Sequence, residues 1–269
     1  AALRDADYIF SAYRDHGHAL ARGMDPKGIM AELFGKFTGC SKGMGGSMHM
    51  FDASRGFMGG YGIVGGHVPL ASGTAFGSKY LGKDSVTVCF FGEAAANQGV
   101  FHETLNLAAL WKLPVVFICE NNRFGMGTAV ERSTAVWDIY HKASAYDMTR
   151  QWIDGMDVLE MYRVVKQAVD RARKSNEPTM LEARTYRFRG HSMSDPIHGH
   201  YRTKEEVEEQ KKSDPILAFG HELLEAGILA QKTIDEMELE IKKIVDESVE
   251  FAEHSPEPPA DFLYENVYA

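Results

Sequence analysis

Two short apolar runs constrain this chain more than anything else in it. Ser85-Val-Thr-Val-Cys-Phe-Phe91 and Pro114-Val-Val-Phe-Ile-Cys119 are rich in β-branched and aromatic residues and show no polar alternation. Such runs read as strands covered on both faces, as in a parallel sheet. Between them, from Gly99 to Trp111, Phe101, Leu105, Ala108 and Ala109 recur at helical spacing. Strand, helix and strand within about 35 residues form a βαβ unit, whose crossover is almost always right-handed. The predicted fold class is therefore α/β, a mostly parallel sheet flanked by helices.

A second unit of the same kind follows. Asp157 and Glu160 form a capping-box-like start to a helix running to about Lys174, and Pro178 precedes an alternating strand, Thr179 to Phe188. Thr203 with Glu206 opens a charged helix. Asp214-Pro215 opens another that Gly227 stops, and Thr233 with Glu236 opens a long amphipathic helix to about His254. Pro256-Glu-Pro-Pro259 then extends a tail whose Phe262, Tyr264 and Tyr268 need a surface to pack on. The expected organisation is a single domain over 1–269, with sheet core and cofactor loops to about residue 200 and a helical extension beyond.

Length and charge exclude several classes. A chain of 269 residues can bury one large α/β core. A formal charge of −9 argues against nucleic acid or an anionic membrane as partner, and no run approaches the roughly 18 apolar residues of a membrane span. The opening Ala1-Ala-Leu-Arg-Asp5 has neither the basic nor the apolar segment of a signal peptide, and the absence of an initiator Met suggests a longer natural chain. Cys40, Cys89 and Cys119 are too few for a disulfide framework; Cys89 and Cys119, in strand-like runs, read as buried reduced thiols.

The segment 39–77 differs in kind: it is rich in glycine and methionine and poor in charge. Ten glycines (39, 43, 45, 46, 56, 59, 60, 62, 65 and 66) crowd together with Met48, Met50, Phe51, Phe57 and Met58. Glycine at this density costs backbone entropy. The interleaved apolar residues argue against a loose surface loop, so the segment reads as backbone approaching a ligand closely. Gly60-Tyr-Gly-Ile-Val-Gly65 matches the dinucleotide fingerprint by letter. That fingerprint needs a strand immediately before it, and Met50 to Gly59 does not read as one. Gly39-Cys-Ser41-Lys-Gly43 matches the nucleophile elbow without the strand and helix the elbow needs. Neither activity is expected.

The chemistry is expected at the carboxyl ends of the two parallel strands, outside which ligands of open α/β sheets bind. The first run ends in Gly92-Glu93-Ala94 and the second in Glu120-Asn121-Asn122-Arg123-Phe124-Gly125. Neighbouring strands would set Glu93 and Asn122 side by side. A hard cation such as Mg²⁺ takes oxygen ligands, few of them from protein and the rest from phosphate and water. One carboxylate, one amide oxygen and one loop carbonyl suit it, and the helix beginning near Gly99 could turn its amides to the same anion. A divalent-metal and diphosphate site over 92–125 is the resulting expectation; a solvated loop acid beside a simple Asn-Asn turn is the alternative.

Gly92-Glu93-Ala94 with downstream Asn121-Asn122 resembles the thiamin diphosphate motif, usually Gly-Asp-Gly and Asn-Asn. The stretches 92–99, 120–128, Tyr13-Arg-Asp-His-Gly17, Gly43 to Met50 and Arg189-Gly-His-Ser-Met-Ser-Asp-Pro196 carry the likeness along nearly the whole chain. The chain resembles the α subunits of the thiamin diphosphate-dependent 2-oxo acid dehydrogenases, most of all the pyruvate branch. The resemblance implies a three-layer thiamin diphosphate-binding fold, here without the N-terminal helical segment of family chains. It implies thiamin diphosphate and Mg²⁺ as cofactors, and oxidative decarboxylation of pyruvate with acetyl transfer to a lipoyl group. It also implies a β subunit in a heterotetramer and the lipoyl domain of a dihydrolipoyl acetyltransferase as partners. Acetoin and branched-chain 2-oxo acid dehydrogenase α subunits, and a non-catalytic paralogue, stay open.

By that resemblance Glu93 and Asn122 ligate Mg²⁺ together with the main-chain carbonyl of Phe124. Tyr13 and Arg14 hold the diphosphate, a task suited to the guanidinium fork. Gly62 and Val64 lie against the pyrimidine or thiazolium, and Ala94 and Ala95 beside the diphosphate. His191 matches the active-site loop histidine and Ser192 the serine that kinases modify in mitochondrial relatives. His16 joins His191 as a catalytic candidate, and His49 is a further candidate. The carboxylate that ionises the cofactor belongs to the β subunit, which makes this chain half of an active site. Relatives usually carry Asp at Glu93 and Gly at Ala94. The longer acid reaches outward by about 1.5 Å, and the methyl intrudes where backbone nears phosphate, so either the loop shifts or metal affinity falls. Ala129 and His200 stand where mitochondrial enzymes have further phosphorylatable serines, which implies a bacterial-type, cytoplasmic enzyme; a eukaryotic one would work in the mitochondrial matrix or plastid.

Overall fold

The computed structural model of the chain describes residues 1–196, 201–265 and 267, so His200 and Tyr268 lie outside the described residues. In chain order the first elements are β1 (Tyr8–Ala12), α1 (His16–Ala21), α2 (Pro26–Leu33), β2 (Phe57–Tyr61) and α3 (His67–Tyr80). Then come β3 (Thr87–Gly92), α4 (Gly99–Leu110), β4 (Val115–Asn121), β5 (Phe124–Gly125), β6 (Thr128–Ala129) and α5 (Val130–Ser133). The chain continues through β7 (Thr149–Asp154), α6 (Val158–Ser175), β8 (Thr179–Arg184), α7 (Lys204–Lys211), α8 (Pro215–Glu225) and α9 (Gln231–His254). A six-stranded sheet runs in the order β2-β1-β3-β4-β8-β7, and β3, β4, β8 and β7 pair in parallel. The chain divides into two compact units, residues 1–9 with 63–230 and residues 10–62 with 231–269; the division falls inside β1. No helix among the described residues is long and apolar enough to cross a membrane.

In the first unit the unalternating strands are covered on both faces, as their composition requires. Val88, Val116, Ile118 and Leu181 form one core with Val164, Ala168, Val169 and Ala172 of α6. Alternate residues point the other way, and Phe91 meets Phe101 of α4 at 5.4 Å between ring centroids. Helix, sheet and helix therefore form three layers. Each fully buried Val, Leu or Ile contributes about 1.5–3 kcal/mol. Caps delimit the helices: Asp157 accepts from the Glu160 amide at 2.8 Å, Thr203 from Glu206 at 3.0 Å, and Asp214 from Ile216 at 2.9 Å. Cys89 and Cys119 are buried free thiols, both pushed upward in pKa by burial.

Three expectations about elements are corrected. The strand begun at Thr179 ends at Arg184, not Phe188, because its neighbours β4 and β7 stop at Asn121 and Asp154, the residues paired with Arg184. A strand does exist between Met50 and Gly65: β2 spans Phe57–Tyr61, and Tyr61 stacks on Phe10 at 6.1 Å. Its glycines hide it, since glycine gives a strand no side chain to pack. The last long helix begins at Gln231, two residues before Thr233.

In the second unit α2 packs along α9. Of the tail aromatics Phe262 is buried, edge-on to Phe37 at 5.3 Å and under Lys42 at 5.4 Å, whereas Tyr264 is exposed. Glu32, at the end of α2, is fully buried and its carboxylate accepts four backbone amides: Ser41 (2.8 Å), Gly43 (2.9 Å), Gly45 (2.7 Å) and Gly46 (3.0 Å). A Cβ on Gly39 would fall 2.3 Å from Glu32 Oε2. Much of the glycine density at 39–46 thus lets backbone wrap an internal carboxylate.

The first unit also holds a buried ion pair. Asp7 is fully buried and accepts from Arg173 Nη2 at 2.9 and 2.7 Å, from the Arg4 amide at 2.7 Å and from the Val86 amide at 2.9 Å. Removing one partner of such a pair strands a charge, at roughly 3–5 kcal/mol. Arg173→Met is expected to cost about that much in denaturant unfolding of the intact assembly, and a loss below ~1 kcal/mol would show that water reaches Asp7.

Candidate cofactor site

In the first unit, parallel register pairs Gly92 with Glu120, so Glu93 and Asn121-Asn122 leave adjacent strands at one level. Glu93 opens a tight 3-10 turn over Glu93–Asn97 and is 3% exposed. Asn121 faces inward: its amide donates to Glu182 Oε1 at 2.8 Å, and its Oδ1 accepts from the Arg123 amide at 2.9 Å. Those bonds fix the loop that follows, in which Arg123 and Met126 take φ of +68° and +56°.

Asn122 Oδ1 and the Phe124 carbonyl, two of the three expected metal ligands, meet at one cation. Arg187 Nη1 lies 3.4 Å from Asn122 Oδ1 and 3.3 Å from Phe124 O, and Nη2 donates to Met126 O at 2.9 Å and to Tyr201 Oη at 2.7 Å. Sequence reading missed Arg187 because it took residues 185–188 as strand. Among the described residues no group of three or more His, Cys, Asp or Glu is placed to hold a metal. A site built from one carboxylate, one amide and one carbonyl would form no such group.

The turn 93–97 is packed from several sides. The exposed Ala94 turns its methyl to the Cα of Gly125, where an added Cβ would lie only 2.8 Å away. Glycine at 125 makes room for the Ala94 methyl. Lys142 Nζ donates to Ala96 O at 3.1 Å and Asn97 Oδ1 at 2.7 Å, and burial lowers its pKa. The turn carrying Val64 packs alongside: a Cβ on Gly65 would lie 3.2 Å from the Gln98 side chain and 3.8 Å from Ala95 O. Buried His67 hydrogen-bonds Phe90 O through Nε2 at 2.7 Å, and burial lowers its pKa, which keeps the ring neutral.

His191 is half-buried in a loop tied to the same guanidinium. Its amide donates to Asp195 Oδ2 at 2.6 Å, Tyr201 Oη donates to that oxygen, and Tyr201 accepts from Arg187. Buried Arg202 holds the Arg187 and Arg189 carbonyls. The His191 amide, then Tyr201, hold the Asp195 carboxyl below the ordinary range, with Arg187 and Arg202 adding to this. Ser192 is exposed, its Oγ 3.0 Å from Ser194 Oγ.

In the second unit Tyr13 and Arg14 directly follow β1, with the exposed Arg14 guanidinium 5.6 Å from the Tyr13 ring centre. His16 Nε2 is engaged by Ser47, 3.0 Å from its carbonyl and 2.9 Å from its hydroxyl. His49 Nδ1 pairs with Gly60 O at 3.0 Å, and its ring lies 3.3 Å from where a Gly62 Cβ would be. The structure thus puts His49 beside Gly62 and gives His16 a structural partner. Ser41 has no nucleophilic setting, since its hydroxyl donates to His49 O at 2.7 Å.

Comparison with known proteins places the chain among relatives. A family model described as "Dehydrogenase E1 component" matches residues 1–261. A Rickettsia bellii (strain RML369-C) protein named "Pyruvate dehydrogenase E1 component subunit alpha" is 48% identical over 262 residues, 97% of this chain and 80% of that protein. One of the same name from Rhizobium meliloti (strain 1021) is 44% identical over 267 residues, 99% of this chain and 76% of that protein. A chloroplastic relative from Oryza sativa subsp. japonica, named as subunit alpha-3, is 44% identical over 276 residues, 99% of this chain and 64% of that protein.

The depressed Asp195 carboxyl fixes a pH dependence. A group whose folded pKa is lowered lends stability above its unfolded pKa and loses it as pH falls through the folded value. The segment 190–196, which Asp195 ties to Tyr201, should therefore loosen in acid. Asp195→Asn is expected to bring that looseness to neutral pH, read as faster limited proteolysis within 190–196 with the global unfolding midpoint little changed.

Proposed function

The chain belongs to the dehydrogenase E1 component family, and on that footing we propose that it is the α subunit of a pyruvate dehydrogenase. It catalyses thiamin diphosphate-dependent oxidative decarboxylation of pyruvate and acetyl transfer to a lipoyl group, together with a β subunit. The observation that carries the cofactor half of this reading is the meeting of Asn122 Oδ1 and Phe124 O at a single cationic group. Asn122 Oδ1 also accepts from the Phe124 amide at 3.3 Å, so a metal ion would take the place that Arg187 Nη1 holds. With the Phe124 carbonyl and the buried Glu93 carboxylate, Asn122 Oδ1 supplies the hard oxygen set that Mg²⁺ takes. The residues present fit the metal.

In the proposed roles Glu93, Asn122 and Phe124 O hold Mg²⁺, and Ala94 and Ala95 flank the diphosphate. Tyr13 and Arg14 clasp the diphosphate from the turn after β1. Gly62 and Val64 border the ring system, and the lack of a side chain at Gly62 allows close approach. Thiamin diphosphate supplies the electron sink for loss of CO₂ from a 2-oxo acid. His191, held through its amide by Asp195, donates and accepts protons at the substrate, and His16, whose Nε2 rests on Ser47, is the second catalytic residue. Ile63, Val64, Met126 and Met193 are exposed apolar side chains of the site loops. Their exposure supports a partner that excludes water there, the β subunit of a heterotetramer that also contributes the ionising carboxylate. The lipoyl domain of an acetyltransferase is the second partner, and a bacterial cytoplasm is the proposed setting.

Isothermal titration of thiamin diphosphate into the α–β assembly should show binding that requires Mg²⁺. Asn122→Ala should weaken it by at least the roughly 10–100-fold seen when groups behind metal ligands are removed. Binding without metal dependence would favour a non-catalytic paralogue. Faster turnover of acetoin than of pyruvate would move the assignment to the acetoin branch.

A further inference from the structure

Asp15 is 0% exposed in the second unit, and neither of its carboxyl oxygens has a hydrogen-bond partner. It stands at the N-terminal cap position of α1, yet its side chain makes no capping bond. A buried carboxylate without partners is strongly disfavoured. Asp15 Oδ2 lies over the Cα of Gly60: a Cβ there would sit 2.0 Å from it and 2.7 Å from the carbonyl oxygen of Met48. Two oxygens, each an acceptor if the acid is ionised, therefore crowd one point.

The neighbouring imidazoles make no hydrogen bond to either Asp15 oxygen. His16 pairs with Ser47, His18 Nδ1 with Ser11 Oγ at 2.8 Å, and His49 with Gly60 O. The Met50 amide approaches without completing a hydrogen bond. Burial raises the Asp15 carboxyl above the ordinary range, opposed less strongly by its own amide, His16, the Met50 amide and His18.

We propose that Asp15 is carried as a neutral carboxylic acid that donates its proton to the Met48 carbonyl, and that this bond seats the Tyr13-Arg14 turn and the 47–50 segment on the strand end Gly60–Gly62. Gly60 is glycine because any side chain there would take the space of the carboxyl. On the functional reading above, Tyr13, Arg14 and Gly62 hold the cofactor, so Asp15 is a positioning residue for that site. Its protonation does not depend on that reading.

Infrared difference spectra of the intact assembly, wild type minus Asp15→Asn, should show the C=O band of a protonated carboxyl at neutral pH. A raised folded pKa means stability is lost as pH rises from the unfolded pKa through the folded one. Asp15→Asn, which keeps a neutral donor, should melt with wild type in acid and increasingly above it towards neutral pH. Asp15→Ala should weaken thiamin diphosphate binding about tenfold, the scale of a lost hydrogen bond, with kcat at saturating cofactor unchanged, while Asp15→Asn binds as wild type does. Absence of the band, or a melting gap that does not widen with pH, overturns the neutral acid. Normal cofactor binding by Asp15→Ala overturns the positioning role. Failure of the wild-type assembly to bind thiamin diphosphate counts against the functional reading instead, and the spectra and melting curves then decide Asp15.

Discussion

Parallel pairing of β3, β4 and β8 in a fixed register is the constraint on which the candidate site depends. Gly92 pairs with Glu120 and Asn121 with Arg184, so three chain segments leave the sheet at one level. Glu93, Asn122 and Thr185 begin those segments, and the Thr185 amide bonds Asn121 O at 2.9 Å. A slip of one residue would turn every buried side chain of a strand to the opposite face. With both faces covered, the core forbids the slip, so the hydrophobic pattern fixes where the polar loops start. The chemistry inherits its coordinates from the apolar packing beneath it.

Above that level, polar bonding takes over from packing. Arg187 ties the 122–126 loop to Tyr201, because one guanidinium reaches Asn122, Phe124, Met126 and Tyr201. Lys142 grips the far end of the 93–97 turn. These are loops without a core of their own, and charge-assisted bonds are the strong kind available to them. Arginine suits the first task because its planar fork serves several acceptors at once.

What could be read in the sequence was whatever local chemistry determines. The βαβ unit, the caps at Asp157, Thr203 and Asp214, and the left-handed stop at Gly227 depend on neighbours a few residues away. What could not be read depends on partners distant in sequence. Arg187 looked like a strand residue until β8 lost its neighbours at Arg184. Ala94 packs its methyl against Gly125, thirty-one positions on, a pairing that no local pattern marks. β2 was hidden because Gly59 and Gly60 carry no strand preference, although Phe57 is buried and Tyr61 stacks on Phe10. Nothing in the sequence singles out Glu32 or Asp15; only the fold shows that one is saturated with amides and the other has no hydrogen-bond partner.

Glu32 has a consequence for how the glycine-rich segment behaves as an object. Successive backbone amides turned to one point make a concavity that binds anions, of the sort that captures phosphate elsewhere. Here the anion is supplied by the chain itself, covalently attached through α2, so the concavity is filled from within. It cannot compete for free phosphate or sulfate in solution, and its shape does not wait on any solute. The segment is a receptor permanently occupied by its own ligand, and its conformation is set before any other molecule arrives.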